Sequence, residues 1–271
     1  MTPDGPSPTG GLPFAGRIKA VTTQDPWLWL AAGWRDMQAT PLHSIGYGAL
    51  FVALGYAVTI GLYQIGLSYM IWPMAAGFIL IGPLLCTGFY EISRRLERGE
   101  GVNFRTVLFA WRGHAPAVFG AGLALVFFMI IWIRVAALIY AINFPYTGLS
   151  IEEMTVKTFF TTDGLTFLAV GSGLGAALAF VAFLFSAVSL QTMIAHDTAF
   201  VPAIAISVLA VMRNFVPMMV WAVIITVTTG VGMAAALVGL AITLPLIGHA
   251  SWHAFRALVE PPTGGAPSIR A

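Results

Sequence analysis

Long apolar runs, separated by short polar or glycine- and proline-bearing stretches, set the pattern of this chain. A helix needs about 20 apolar residues to cross the hydrocarbon core of a bilayer. Runs of that length cover residues 43–66, 70–93, 117–142 and 165–190. A further run, 215–258, is too long for one crossing. Gly230 and Gly232 near its middle predict a turn that divides it into two spans. The other reading of that run is one tilted span followed by an interfacial helix. The expected fold is therefore all-α: a polytopic membrane helical bundle of six transmembrane helices.

Three shorter segments carry helical periodicity just ahead of the spans. Asp25-Pro26 is a helix-start signal, and Trp27, Leu30, Trp34 and Met37 then share a stripe. Asn103 caps a second helix with Phe104, Val107, Leu108 and Trp111 on one face. A third runs from about Asp197 to Arg213. Apolar stripes with tryptophan at the boundary suit helices lying in the headgroup plane. The six spans thus read as three hairpins, each preceded by an interfacial amphipathic helix. Between spans 3 and 4, Ser150 and Glu153 form a capping box, with Leu149 and Met154 as its staple.

Basic residues decide the orientation. Arg17, Lys19, Arg35, Arg94, Arg95, Arg98, Arg105, Arg112, Arg213, Arg256 and Arg270 fall on one side of a six-span chain, and only Lys157 on the other. The positive-inside rule then places both termini in the cytoplasm of a bacterial inner membrane. Residues 27–260 form the membrane domain. Residues 1–26, rich in proline and glycine, and 261–271 are expected to be disordered cytoplasmic tails.

Composition agrees. The chain is 58% hydrophobic and 9% charged, far below the roughly 25% charged residues of a soluble domain. Lipid must be its solvent. The net charge of +2 provides no clustered basic face for nucleic acid. The single cysteine, Cys86, excludes an intrachain disulfide.

The segments starting at Pro83 and Pro245 align without gaps. Tyr90 meets Trp252, Arg94 meets Arg256, and Glu91 meets His253. This predicts a parallel internal repeat with matching polar residues at the ends of spans 2 and 6, where the two prolines can break the helices. The stretches 82–100, 214–222 and 244–259 resemble a bacterial family of predicted integral membrane proteins of unknown function, over about residues 30–260. Members are sometimes labelled as cytochrome c oxidase subunits. The resemblance implies a six-span bacterial inner-membrane protein and brings no established activity; the chain is too short, with four of its five histidines at or near cytoplasmic span ends, to be a catalytic haem–copper subunit.

Few residues offer chemistry. His249 and His253 are spaced i, i+4 and can face one side of a helix. Two ligands do not make a metal site; His196 and Asp197 would complete one if the loop between spans 4 and 5 folds beneath span 6. The simpler reading is that the pair hydrogen-bonds near the interface, with no metal or cofactor. Arg134 is an intramembrane charge, about 12 Å from the outer end of its span. It costs about 2.5–3.5 kcal/mol on insertion scales; the plain reading is snorkelling or an ion pair with Asp163, Glu152 or Glu153, and the residue is expected to face the bundle interior. Glu91 reads as an ion pair with Arg94 and Arg95. Gly171 and Gly175 permit close helix approach, within the bundle or to another chain as a partner or homo-oligomer. No nucleophile–base pair is visible, so catalysis is not expected. The reading that follows is an accessory, assembly or scaffold membrane protein. A small-solute or ion transporter, with Arg134 in or near its pathway, is the alternative.

Overall fold

The computed structural model describes residues 15–110, 112, 115–143 and 151–261. Within these the protein is an all-α membrane bundle of α1 (Asp25–Ala39), α2 (Pro41–Gln64), α3 (Ile71–Leu85), α4 (Thr87–Glu97), α5 (Phe104–Leu108), α6 (Ala115–Asn143), α7 (Ile151–Phe160), α8 (Thr162–Ser186), α9 (Ser189–His196), α10 (Phe200–Arg213), α11 (Phe215–Ala234) and α12 (Leu240–Leu258). Five apolar stretches are long enough to cross a bilayer: Pro41–Gln64, Ser68–Glu97, Pro116–Asn143, Thr162–His196 and Phe215–Ala234. The expected cap at Ser150 and the staple at Leu149 lie outside the described residues, as does Trp111.

Helix α12 is not among the five. It carries His249, His253 and Arg256, and neighbours bury most of its length. It is the central post, packed by α1, α2, α4 and α11. Glycines set how closely it is approached. A Cβ on Gly33 of α1 would lie 2.5 Å from the Ala250 nitrogen, and one on Gly48 of α2 would lie 2.8 Å from the Ala241 oxygen. Gly248 of α12 similarly receives Phe89 of α4. The deepest side chains gather at this end, among them Phe89, Tyr90, Trp221, Phe255 and Met193.

Several expectations shift. The buried face of α1 is Pro26, Trp29, Gly33 and Met37, while Trp27 and Trp34 stay exposed. Gly33 decides the choice, because only that face lets two helix backbones touch. Asn103 does cap α5, accepting a hydrogen bond from the Thr106 amide at 2.9 Å, but α5 ends at Leu108. Helix α10 begins at Phe200 and buries Ala203, Ile206, Ser207, Ala210 and Val211, so it is a packed helix. The chain between α11 and α12 reverses at residues 235–239, not at Gly230 and Gly232. Ala236 and Leu237 there adopt left-handed φ of 51° and 65°, a strained state for such residues. The Tyr56 hydroxyl holds the turn by donating to the Ala236 carbonyl at 2.6 Å. Gly232 instead lies within α11, against Leu240.

The first hairpin is also rearranged: α2 packs on α12, and α3 packs on α6. The span holding Pro83 does break, at Cys86 between α3 and α4, but α12 runs through Pro245 unbroken. The proline-rich start is not a tail as far as residue 26. Ile18 bridges antiparallel to Val259, the Lys19 amide donates to the Leu258 carbonyl at 2.9 Å, and the Asn214 side chain clasps Val21 and Lys19. The described residues therefore begin and finish at one end of the bundle, and α12 brings the chain back.

Single cysteines at Thr23, Glu100, Lys157 and Ser268, in a chain with Cys86→Ala, test this arrangement. An impermeant thiol reagent applied to intact cells should treat Thr23, Glu100 and Ser268 alike, and Lys157 oppositely. Equal labelling at all four positions would overturn it.

Candidate functional site

A chain of buried and half-buried polar groups forms where α1, α2, α4 and α12 converge. Helix α12 delivers His249, with no exposed surface. Its Nε2 lies 2.9 Å from the Ser44 hydroxyl of α2, and its Nδ1 lies 2.8 Å from the Ser93 hydroxyl of α4. Ser93 donates to Asp36 Oδ2 of α1 at 2.6 Å. One turn further along α12, His253 Nε2 reaches the same carboxylate oxygen at 2.9 Å. At the other end Thr40 lies 3.1 Å from Ser44. The small residues at Gly33 and Gly248 make this possible by letting the four backbones close in.

The geometry sets the hydrogens. A carboxylate only accepts, and a serine has one hydrogen to donate. Ser93 gives its hydrogen to Asp36, so it must accept from Nδ1–H of His249. In the neutral ring Nε2 is then the acceptor for Ser44. Every donor thus points towards Asp36, and bonds aligned in series strengthen one another. Burial opposes the charge on Asp36, but hydrogen bonds from His253 and Ser93, and the fields of His253 and His249, outweigh it. The carboxyl is held below its ordinary range. The arrangement can fix one imidazole tautomer and bind four helices through one carboxylate.

The candidate metal ligands do not assemble. Both ring nitrogens of His249 are taken by hydroxyls. His196 faces the Arg17 guanidinium at 3.0 Å and lies beside Phe255, a poor position for a cation. Asp197 closes α9 in a left-handed conformation. Among the described residues no three His, Cys, Asp or Glu side chains form a group able to hold a metal.

The other polar residues pair within α4 and from α4 to α12. Glu91 is buried and receives Arg94 through two hydrogen bonds, at 2.7 and 2.8 Å, and Arg95 through one at 2.7 Å. Arg256 of α12 pairs with Glu97 of α4 at 2.7 Å, and the Trp252 indole donates to the same carboxylate. Gly175 is occupied inside the chain by Trp132, whose indole donates to the Pro73 carbonyl at 2.8 Å. Gly171 borders an open cavity.

Arg134 is a correction. It lies on the exposed face of α6, with no hydrogen bond or ion pair to a described residue. Trp132, Ala136 and Ile139 set the helix phase by burying the opposite face. Asp36, Ser44 and Ser93 were not singled out in the sequence. No local signal marks them, because Asp36 and its partner His253 lie on opposite ends of the chain.

Ser93→Ala should lower stability by about 1–3 kcal/mol, because it removes the buried hydroxyl that joins His249 to Asp36. Thermal unfolding in detergent would measure this. Asp36 gives the pH dependence. Its folded pKa is depressed, so its contribution is complete above the ordinary carboxylate range and is lost as the pH falls through the lowered folded value. The melting temperature should fall on acidification, and Asp36→Asn should flatten that slope. A wild-type slope in Asp36→Asn would remove Asp36 from this role.

No curated protein and no solved structure matches the chain. The family match takes in Ser93, Glu91 and Arg134, and is narrower than the stretch 30–260 expected from sequence. Residues 71–195, running from the start of α3 into α9, match the family described as predicted integral membrane proteins (DUF2189), and over that stretch the chain is similar to its members.

Proposed function

We propose that this is a non-catalytic, multi-pass protein of the bacterial inner membrane, with both termini cytoplasmic. It serves as an accessory, assembly or scaffold component that packs against a partner's transmembrane helix. The exposed face of α6 carries this reading. Leu123, Phe127, Ile130, Arg134 and Leu138 recur there at spacings of three and four, and all are exposed. This is the seam by which helices pack together. One cation in its middle asks for an acidic residue on the facing helix, since an Arg left in lipid costs about 2.5–3.5 kcal/mol. A single polar seam position also sets register between helices. The buried polar side chains support a non-catalytic role, because they bond to neighbouring helices. Respiratory complexes are the first place to look for the partner. The basic residues around the terminal end support the orientation.

A photo-crosslinking amino acid at Phe127 or Leu138, in native membranes, tests the proposal. A discrete membrane protein should be captured, with an acidic residue at the depth of Arg134. Arg134→Leu should abolish capture and Arg134→Lys should weaken it, since a planar fork and a point charge are not equivalent. Capture of lipid alone, or solute flux in liposomes that Arg134→Leu abolishes, would sink the reading.

A further inference from the structure

The opposite face of α6 looks into a cavity of about 710 Å³, walled by α3, α6, α8, α11 and α12. Its size is within the range of about 300–1,000 Å³ for sites that enclose a small ligand. Its lining runs along the unbroken α8 from Leu168 to Ser186. At helical rise that is about 27 Å, close to the roughly 30 Å of a hydrocarbon core. The cavity therefore runs along most of the apolar thickness of the membrane.

Its chemistry narrows the occupant. No lining residue is charged. Arg134, the intramembrane cation, points the other way. A phosphate head drawn inside would meet no cation and would be desolvated without compensation. Hydroxyls are present instead: Tyr90, Ser186 and Ser251 line one end, and Ser172, Thr226 and Thr229 stand elsewhere on the wall; Ser186 and Thr226 already donate to the Ala182 and Ala222 carbonyls and can only accept. Tyr90 lies within hydrogen-bonding reach of Ser251 and the Cys86 thiol. A neutral hydroxyl or carbonyl group can be held there.

We infer that the cavity binds an uncharged long-chain lipid, with its hydrocarbon between α3, α8 and α11 and its small oxygen-bearing head at Tyr90, Ser251 and Ser186. The site is independent of the α6 seam. A side chain at Gly171 can fill it, because a Cβ there meets nothing within 4 Å. Neither the Asp36–His249 chain nor Arg134 is touched by that change.

The test is tryptophan quenching in phosphatidylcholine nanodiscs, because Trp72 and Trp132 both line the cavity. The probe is monoolein brominated on its chain, compared with phosphatidylcholine brominated at the same position and mole fraction. Brominated monoolein should quench more strongly. Tyr90→Phe should weaken its apparent affinity about three- to tenfold, the loss of one neutral hydrogen bond. Gly171→Phe should remove the difference between the two probes. Ser172→Phe, on the same wall, provides a second filling variant should the first not fold. Equal quenching by the two probes in the wild-type protein would mean ordinary surrounding lipid and overturn the site. Stronger quenching by the brominated phosphatidylcholine would overturn the neutral head. A co-purifying protein displaced by Gly171→Phe would overturn the lipid as occupant. None of these outcomes touches the partner proposed at Arg134, whose capture is read on the other face of α6.

Discussion

Helix α1 touches α12 backbone to backbone, and much of the molecule is arranged around that contact. With hydrogen in place of a side chain, Gly33 lets α1 settle against Leu246 and Ala250. Trp29 then stands edge-on to Trp221. One turn on, Asp36 arrives within reach of both Ser93 and His253. A methyl group at residue 33 would overlap backbone atoms that no rotamer change can move aside. It would push Asp36 away and leave Ser93, His249 and Ser44 buried without the carboxylate that orients them. Unmade bonds of that kind cost more than made ones contribute.

From that contact the molecule divides into two materials. At the terminal end, α1, α4, α9 and α12 form a tight cluster, cross-linked by Asp36 with Ser93 and His253, Glu97 with Arg256, and the pairing of Ile18 with Val259. Beside that cluster the spans separate and enclose a large apolar cavity. The contrast follows from solvent. In lipid an exposed leucine costs little, so no hydrophobic force drives the spans together, and close contact there depends on small residues and shape. At the polar end each buried donor needs an acceptor, and this selects one arrangement.

Helix α6 shows how one element serves two purposes. Trp132 anchors it by bonding to Pro73 across the bundle and packing on Gly175. That anchor turns Ala136 and Ile139 towards the cavity, and Leu123, Phe127, Ile130, Arg134 and Leu138 outward. The apolar guest and the proposed partner helix would therefore sit on opposite sides of the same cylinder.

The amino-acid sequence by itself determined the solvent, the all-α class and most helix limits. These depend on local composition: about 20 apolar residues in a row must span lipid, whatever surrounds them. The Asn103 cap was legible for the same reason, since its partner lies three residues away. Tertiary structure decided the rest. It placed the last reversal at residues 235–239, where Tyr56 from another helix reaches the Ala236 carbonyl. It turned Arg134 outward, because a helix of nearly uniform apolarity has no preferred face until Trp132 finds its pocket. It assembled the candidate site from Asp36, Ser44, Ser93, His249 and His253, of which only the histidines, with their i, i+4 spacing, were visible beforehand. Pairs so far apart in the chain leave no periodic trace, and only the packing of four helices brings them within 3 Å.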